Sequence, residues 1–377
     1  MIPEIYLNFL WYILVAVTSI QLLYHWLVYR RLSFAKVSES TPKRIAVSVI
    51  VCAKNEAENL KKHLPAILQQ DFPFFEVVVI DDRSSDNTLE VLEEFSLQYA
   101  HLKIVKVAPN EHFWGNKKYA LTLGIKAAKN PYLLFTDADC VPNSNQWIAQ
   151  MSSQFTMKKN LVLGYGAYKK IKGSWLNKII RFDTIHTALQ YFGWAMAGKP
   201  YMGVGRNLAY HKDLFFQLDG FKNHLKVLTG DDDLFVNEAA TAQNTTWSLH
   251  PESFTTSEPK TTYTEWVYQK RRHLLAAPHY KFSDKLQLSL YFLVNFLFFP
   301  LAIGYLILTQ NWLWGVPVVV VRYLSLYIIY FKAAKKFGEK DLIWFLPFLE
   351  LFLIYYQIVI YFKNLTSKPL HWKPIES

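Results

Sequence analysis

The stretch "YLLFTDADCVP" (Tyr132–Pro142) starts as a buried strand and ends on two aspartates one residue apart. Side chains two apart on an extended backbone point to the same side, so Asp137 and Asp139 share a small volume in which their charges repel. A positive partner is expected beside them. Upstream, the apolar runs "IAVSVIVCA" (45–53), "FEVVVIDD" (75–82) and "LKIVKVAP" (102–109) alternate with helical segments at 55–70, 86–99 and 116–129. Strand and helix in repetition require crossover connections, which predict an α/β fold: a Rossmann-like, mostly parallel sheet with helices on both faces. Such sheets bind ligands at the carboxyl ends of their strands. Three of those ends are polar here: Lys54-Asn55-Glu56, Asp81-Asp82, and Asp137 with Asp139. Neither GxGxxG nor GxxxxGK[ST] occurs, so the dinucleotide fingerprint and the P-loop do not explain them.

The chain has 377 residues, 51% of them hydrophobic, and a formal net charge of +11. The apolar residues are unevenly spread. Residues 5–29 form a long apolar segment closed by Arg30-Arg31 with no small-residue cleavage site, which reads as a transmembrane anchor over 1–31 rather than a removable signal. Three further apolar segments, at about 286–308, 312–331 and 342–362, predict three C-terminal transmembrane or re-entrant helices (286–362) followed by a tail (363–377). Between them, 45–275 has the composition of one soluble domain. Arg30, Arg31, Lys36, Lys281, Lys285, Lys332, Lys335, Lys336 and Lys340 all fall on one side if the N-terminus is outside. This predicts an integral protein of the cell (inner) membrane with a cytoplasmic domain. Four crossings would put Lys363, Lys368 and Lys373 outside, so the side of the tail stays open.

The basic residues gather beside the apolar segments and in "AYKKIKGSWLNKIIRF" (167–182), which makes membrane lipids, not nucleic acid, the expected partner. Over about 174–194, Leu176, Ile179, Ile180, Ile185, Leu189 and Phe192 oppose Asn177, Lys178, Arg181 and Gln190. That pattern predicts an amphipathic helix lying in the membrane surface, with a core-facing helix as the alternative. Cys52 and Cys140 lack metal-site spacing and are expected to be reduced and structural. Arg322 and Glu350 lie inside apolar segments, where each charge costs about 3 kcal/mol on insertion scales. Adjacent antiparallel spans would let them pair, and reversing both charges should then restore expression. A lipid phosphate on Arg322 is the other reading.

The acidic strand ends, a third acidic cluster at 231–233 and the flanking apolar segments resemble glycosyltransferase family 2. Its members are inverting enzymes of GT-A fold, and its membrane branch holds lipid glycosyltransferases and polysaccharide synthases. The resemblance covers 45–275 in motif order, and the series is more specific than any member. "VSVIVCAKNEAENL" (47–60) matches the family's first strand and base-holding turn, which implies nucleotide contacts from Ala53, Asn55 and Glu56; Asn-Glu is also an ordinary helix start. "VVVIDDRSSDNT" (77–88) matches the acidic-pair turn and implies Asp82, with Asp81 close behind, as acceptor from the base. A turn that merely caps the next helix would read the same way. "GNKKYAL" (115–121) implies Lys117 near the diphosphate.

The opening stretch fits the family's D-x-D signature, which implies Asp139 as ligand to Mg²⁺ or Mn²⁺ and Asp137 on the ribose or sugar. Such hard ions prefer carboxylate and phosphate oxygens. "GVGRNLAYHKDLFFQLDGF" (203–221) resembles the lining of the donor-sugar and acceptor pocket, with Gly203 and Gly205 allowing close approach and Asn207 toward the sugar. "LTGDDDLF" (228–235) falls at the T-E-D motif; Gly230 replaces the glutamate, Asp231 is the implied general base, Asp232 the fallback, and helix capping the plain alternative. "YTEWVYQKRRHLL" (263–275) matches Q-x-x-R-W in Gln269 and Arg272, implying an arginine for the pyrophosphate and a brace at the acceptor end. His273 replaces the tryptophan, which points away from chain extension; a structural histidine is the first reading for it and approach to the metal the second. The resemblance thus implies a metal-dependent inverting transfer from a nucleotide sugar, a UDP-sugar by family habit, to a lipid or lipid-linked acceptor at the cytoplasmic face. A processive polysaccharide synthase and a catalytically silent nucleotide-sugar-binding membrane protein are the alternatives.

Overall fold

The computed structural model describes residues 4–37, 41, 43–108, 117–367 and 369. Helix α1 (Glu4–Leu23) continues through a π-helical stretch (Tyr24–Tyr29) into α2 (Arg30–Ser33). The alternation expected upstream of the aspartate pair follows: β1 (Val47–Ala53), α3 (Ala57–Leu68), β2 (Phe75–Asp81), α4 (Thr88–Gln98), β3 (Leu102–Lys106), α5 (Lys117–Ala127) and β4 (Tyr132–Asp137). Residue 116, where the sequence reading starts the fifth helix, lies outside the described residues. The domain is completed by β5 (Cys140–Pro142), α6 (Trp147–Ser152), β6 (Leu161–Leu163), β7 (Gly166–Tyr168), α7 (Trp175–Met196), β8 (Leu208–His211), α8 (Lys212–Gln217), α9 (Asp233–Ala239), β9 (Thr245–Trp247), β10 (Thr255–Ser257) and α10 (Tyr263–His273). Helices α11 (Phe282–Thr309) and α12 (Trp312–Lys336), a 3-10 segment (Lys340–Phe345) and α13 (Leu346–Thr366) close the chain.

The main sheet has seven strands in the order β3-β2-β1-β4-β8-β6-β9. β1 is parallel to β2 and β4, and β2 to β3, whereas β8 runs antiparallel to both of its neighbours. β1 and β2 are nearly all apolar because helices cover both of their faces. The register places Ala53 opposite Asp81 and Cys52 opposite Asp137. The three polar strand ends therefore finish at one level, on either side of the point where strand order reverses. A small second sheet, β5-β10-β7, stands beside them.

Helix α7 departs from expectation. It is buried along most of its length rather than open to a membrane surface. Arg181, read from the sequence as a headgroup-facing cation, is 4% exposed and pairs with Glu339 and, at 2.7 Å, with Asp341. Asn177 donates to the Lys169 carbonyl at 2.8 Å. The polar stripe exists because its partners come from other parts of the protein.

Among the described residues, four stretches are long and apolar enough to cross a membrane: Asn8–Ser33, Phe282–Thr309, Trp312–Lys336 and Lys340–Thr366. One polar residue from each meets in a single node. Arg322, with no exposed surface, forms a two-pronged pair with Glu350, its Nη1 lying 2.7 Å from Oε2. Its Nε donates to Gln21 Oε1 at 3.2 Å and its Nη2 to Asn295 Oδ1 at 3.3 Å. Gln21 Nε2 also donates to Asn295 Oδ1 at 3.0 Å. Arg322 thus has its expected partner in Glu350, and it is too completely buried to meet a lipid phosphate.

Candidate active site

The turns after β1 and β2 are built into one surface. Asn55 adopts a positive φ of 53°, its N–H donates to Ser84 Oγ at 2.9 Å, and its Oδ1 accepts from the Ser85 N–H at 2.8 Å. The Glu56 N–H donates to Thr88 Oγ1 at 2.8 Å. Asp86, not Asp82, does the capping work of this turn, accepting from the N–H groups of Thr88 at 3.1 Å and Ala57 at 3.2 Å. Asp82 is buried, its backbone N–H is held by the Ala53 carbonyl at 2.8 Å, and its carboxylate lies 3.1 Å from Arg83 Nη2. Asp81 accepts from the Ser84 N–H at 3.1 Å.

A cation stands beside one of the two aspartates, Asp137: it is Lys117, the first residue of α5. Its Nζ is 2.8 Å from Asp137 Oδ1 and 2.9 Å from Asp231 Oδ2, so one ammonium joins acids 94 positions apart in the chain (231 − 137). Burial would raise the Asp231 pKa, but Lys117 and then Lys118 outweigh it and hold the carboxyl below its ordinary range. Asp231 is therefore ionised at neutral pH. Asp139 is pushed up, first by burial, then by Asp137 and Glu56.

Ligand atoms of Asp137, Asp139 and Cys140 lie within 4.8 Å of one another, the one such group among the described residues. Two carboxylates suit a hard divalent ion. The Cys140 thiol does not: it is soft, burial drives its pKa up, and its Sγ is 2.9 Å from Ser257 Oγ, so it forms a wall.

The three consecutive acids divide their labour. Asp232 caps α9, accepting from the Asp233 N–H at 2.7 Å and the Gly205 N–H at 2.6 Å. Asp233 accepts from the Leu234 N–H and the Tyr280 hydroxyl, both at 2.7 Å. Only Asp231 faces Lys117. Gly230 stands where the family has glutamate because φ is 93° there and a Cβ would meet the Leu234 side chain at 2.5 Å. The approach to Asp231 is fixed by buried Lys118, whose Nζ donates to the carbonyls of His224 at 2.7 Å, Val227 at 2.8 Å and Thr229 at 2.6 Å.

Burial, then Asp232, pushes the Asp233 carboxyl up to about 8. An acid with a native pKa above its unfolded value keeps its proton longer when folded, so stability falls as pH rises between the two values. Thermal stability should therefore decline between roughly pH 5 and pH 8, and Asp233→Asn, which keeps an acceptor for Tyr280, should flatten the decline. Melting curves across that range check this; equal slopes in the two proteins would refute it.

The 203–221 segment is placed differently from expectation. Asn207 has no exposed surface: its Oδ1 accepts from Trp147 Nε1 at 3.0 Å, and its Nδ2 donates to the carbonyls of Tyr165 at 2.9 Å and Ser253 at 2.7 Å. Both of its N–H groups are spent inside the protein, so it braces the pocket wall and does not reach a sugar. Its neighbour Arg206, which the sequence reading passed over, takes the site-facing place. The guanidinium lies 4.2 Å from the centre of the Tyr168 ring and donates to the Ala167 carbonyl at 3.0 Å and Ser257 Oγ at 3.1 Å. Burial lowers its pKa but Tyr168, Cys140, Asp139 and Asp137 together raise it further. The available signal was a lone arginine between the site glycines and a strand.

Arg272, on α10, is lowered by burial and pulled back by Asp231 and then Asp137, so it lies within the field of both carboxylates. Gln269, on the same helix, is partly buried. His273 is exposed and does not belong to the acidic group of Asp137 and Asp139.

Residues 48–211 match the family model described as Glycosyl transferase family 2. The chain is 36% identical over 104 residues to Glycosyltransferase AglE of Haloferax volcanii, covering 27% of this chain and 33% of that protein. It is 35% identical over 132 residues to 4,4'-diaponeurosporenoate glycosyltransferase of Staphylococcus haemolyticus, covering 34% of each. It thus spans about a third of the length of these curated relatives. Among solved structures, mannosyltransferase PcManGT from Pyrobaculum calidifontis, in complex with GDP-Man and Mn2+, superposes with a TM-score of 0.57 at 19% identity, covering 89% of this chain and 96% of that one. At that identity the likeness bears on the fold alone, a mixed sheet of the GT-A type.

Proposed function

From the match of residues 48–211 to glycosyl transferase family 2, we propose that the protein is a membrane-bound inverting glycosyltransferase. It moves a sugar from a nucleotide sugar, a UDP-sugar in this reading, to a lipid or lipid-linked acceptor. The observation that carries the proposal is the convergence of Asp137 and Asp231 on Lys117 at the carboxyl end of the sheet, with Asp139 and Arg272 beside them.

Asp231, ionised in the resting site, accepts the proton of an acceptor hydroxyl as it attacks the anomeric carbon from the face opposite the leaving group. A nucleotide diphosphate is a weak base and leaves without a protonating acid. Arg272 and Lys117 supply fixed positive charge where its negative charge grows. The turns bearing Ala53, Asn55, Glu56 and Asp82 take the nucleoside. Asp139, with Asp137 beside it, would hold Mg²⁺ or Mn²⁺, which when bound neutralises charge on the diphosphate. Lysines flanking the apolar helices support a cytoplasmic catalytic face at the cell membrane.

The test is to incubate the purified full chain with a panel of UDP- and GDP-sugars, Mg²⁺ or Mn²⁺ and membrane lipids, and to identify products by mass. A metal-dependent glycosylated lipid is expected. Donor hydrolysis without a glycosylated lipid would overturn the acceptor assignment, and no donor binding would overturn the reading as a whole.

A further inference from the structure

The fourth apolar helix, α13, is held by the soluble domain at both ends. At its entry, Arg181 of α7 pairs with Glu339 and Asp341, and Lys170 Nζ lies 3.3 and 3.2 Å from the same two carboxylates. At its exit, Arg271 Nε donates to Asn364 Oδ1 at 3.0 Å while Asn364 Nδ2 donates to the Arg271 carbonyl at 3.0 Å. Arg271 Nη2 also donates to Ser367 Oγ at 2.8 Å. Between the ends, the Tyr356 hydroxyl donates to one oxygen of Asp183 on α7, and Lys270 of α10 pairs with the other. The Trp266 ring of α10 meets Tyr356 at 4.8 Å, nearly edge-on.

A membrane crossing cannot satisfy these contacts. From Leu346 to Asn364, a straight helix advances about 27 Å at its usual rise, enough to reach the far leaflet. Arg271 cannot be there: α10 is a charged helix whose next residue, Arg272, feels Asp231 and Asp137 in the active site. The charges of the chain agree, since returning the C-terminal end of α13 puts Lys363 with Lys281, Lys332 and Lys336.

We propose that α13 lies obliquely in the leaflet on the catalytic side, its first turns dipping far enough to bring Glu350 to Arg322, and that only 8–33, 282–309 and 312–336 cross. Trp344, Phe348, Leu351, Tyr355, Phe362 and Leu365 are all exposed and recur at three- and four-residue steps or their sum, forming one apolar stripe. The partner of this stripe is lipid, because α13 and the segment before it pack beside α11 and α12, helices that do cross, and its Trp and Tyr suit headgroup depth. The opposite face, with Leu349, Leu353, Tyr356 and Ile360, is buried against protein. The inference does not depend on the reaction proposed above.

The experiment is labelling with a membrane-impermeant maleimide in sealed vesicles of each orientation. Single cysteines replace Met157 of the soluble domain, Gln310 in the α11–α12 turn and Thr366 at the end of α13, with the parent protein's Cys52 and Cys140 read as background. Met157→Cys and Thr366→Cys should label from one face and Gln310→Cys from the other. Labelling of Thr366→Cys and Gln310→Cys from the same face, or protection of Thr366→Cys from both faces, overturns the proposal.

Discussion

Replacing Asp231 by asparagine should lower turnover by about a hundredfold to ten-thousandfold, the usual worth of a positioned base, while donor affinity changes little. The expectation rests on the division of labour among the three acids. Asp232 spends its oxygens on the N–H groups of Gly205 and Asp233, and Asp233 spends its own on Leu234 and Tyr280, so neither can stand in as base. Donor binding is spared because Asp137 still holds Lys117 and the turns that take the nucleoside are untouched. Asp232→Asn is the informative control: it weakens a cap, so it should reduce folded yield more than the turnover of each folded molecule. Rate constants and donor titrations on the same preparations separate the two effects. Turnover unchanged in Asp231→Asn would remove the base assignment.

Among changes in the apolar helices, Glu350→Leu should do the greatest damage. It leaves the Arg322 guanidinium buried without its counter-charge, a loss of about 3–5 kcal/mol for a broken buried pair. Removing both charges together is far gentler, since a well-packed apolar pair can replace a buried ion pair at little cost. The double change Arg322→Leu with Glu350→Leu should therefore recover most of the folded protein. Swapping the charges, the rescue suggested by sequence alone, should recover less. The oxygens of Gln21 and Asn295 already point at Arg322, and a carboxylate in that place would meet them until both amides turned over. Yield of monodisperse protein in detergent orders the variants. Wild-type yield from Glu350→Leu would show that the node contributes nothing.

What the sequence made legible was what repeats or lies close in the chain. The β1 to β4 alternation could be read because buried parallel strands are continuous apolar runs, and the acidic strand ends stood out against them. Lys117, Asp137, Asp139 and Asp231 were found through motif order, and the structure brings Lys117, Asp137 and Asp231 together. The misread features depend on partners far away. The polar stripe of α7 looked solvent-facing because Glu339, which meets Arg181, is 158 positions on. Asn207 looked available because the groups that use up its amide belong to α6 and to loops beside both sheets. Arg206 lay inside the quoted 203–221 stretch without a role assigned to it, and only the fold shows that it stands over Tyr168.

Adjacent arginines on α10 have opposite errands: Arg271 grips the end of α13 and Arg272 turns to the acidic pocket. Consecutive positions on a helix differ by about 100° in direction, so neither can do the other's job. Deleting a single residue upstream within α10 would give Arg272 the heading of Arg271 and His273 the heading of Arg272, stripping the pocket of a cation, whereas inserting one would turn Arg271 to the pocket and leave Lys270 at the end of α13, loosening the lipid-side splint. The length of this short helix is thus constrained at two places at once, and side-chain swaps there should be tolerated far better than indels.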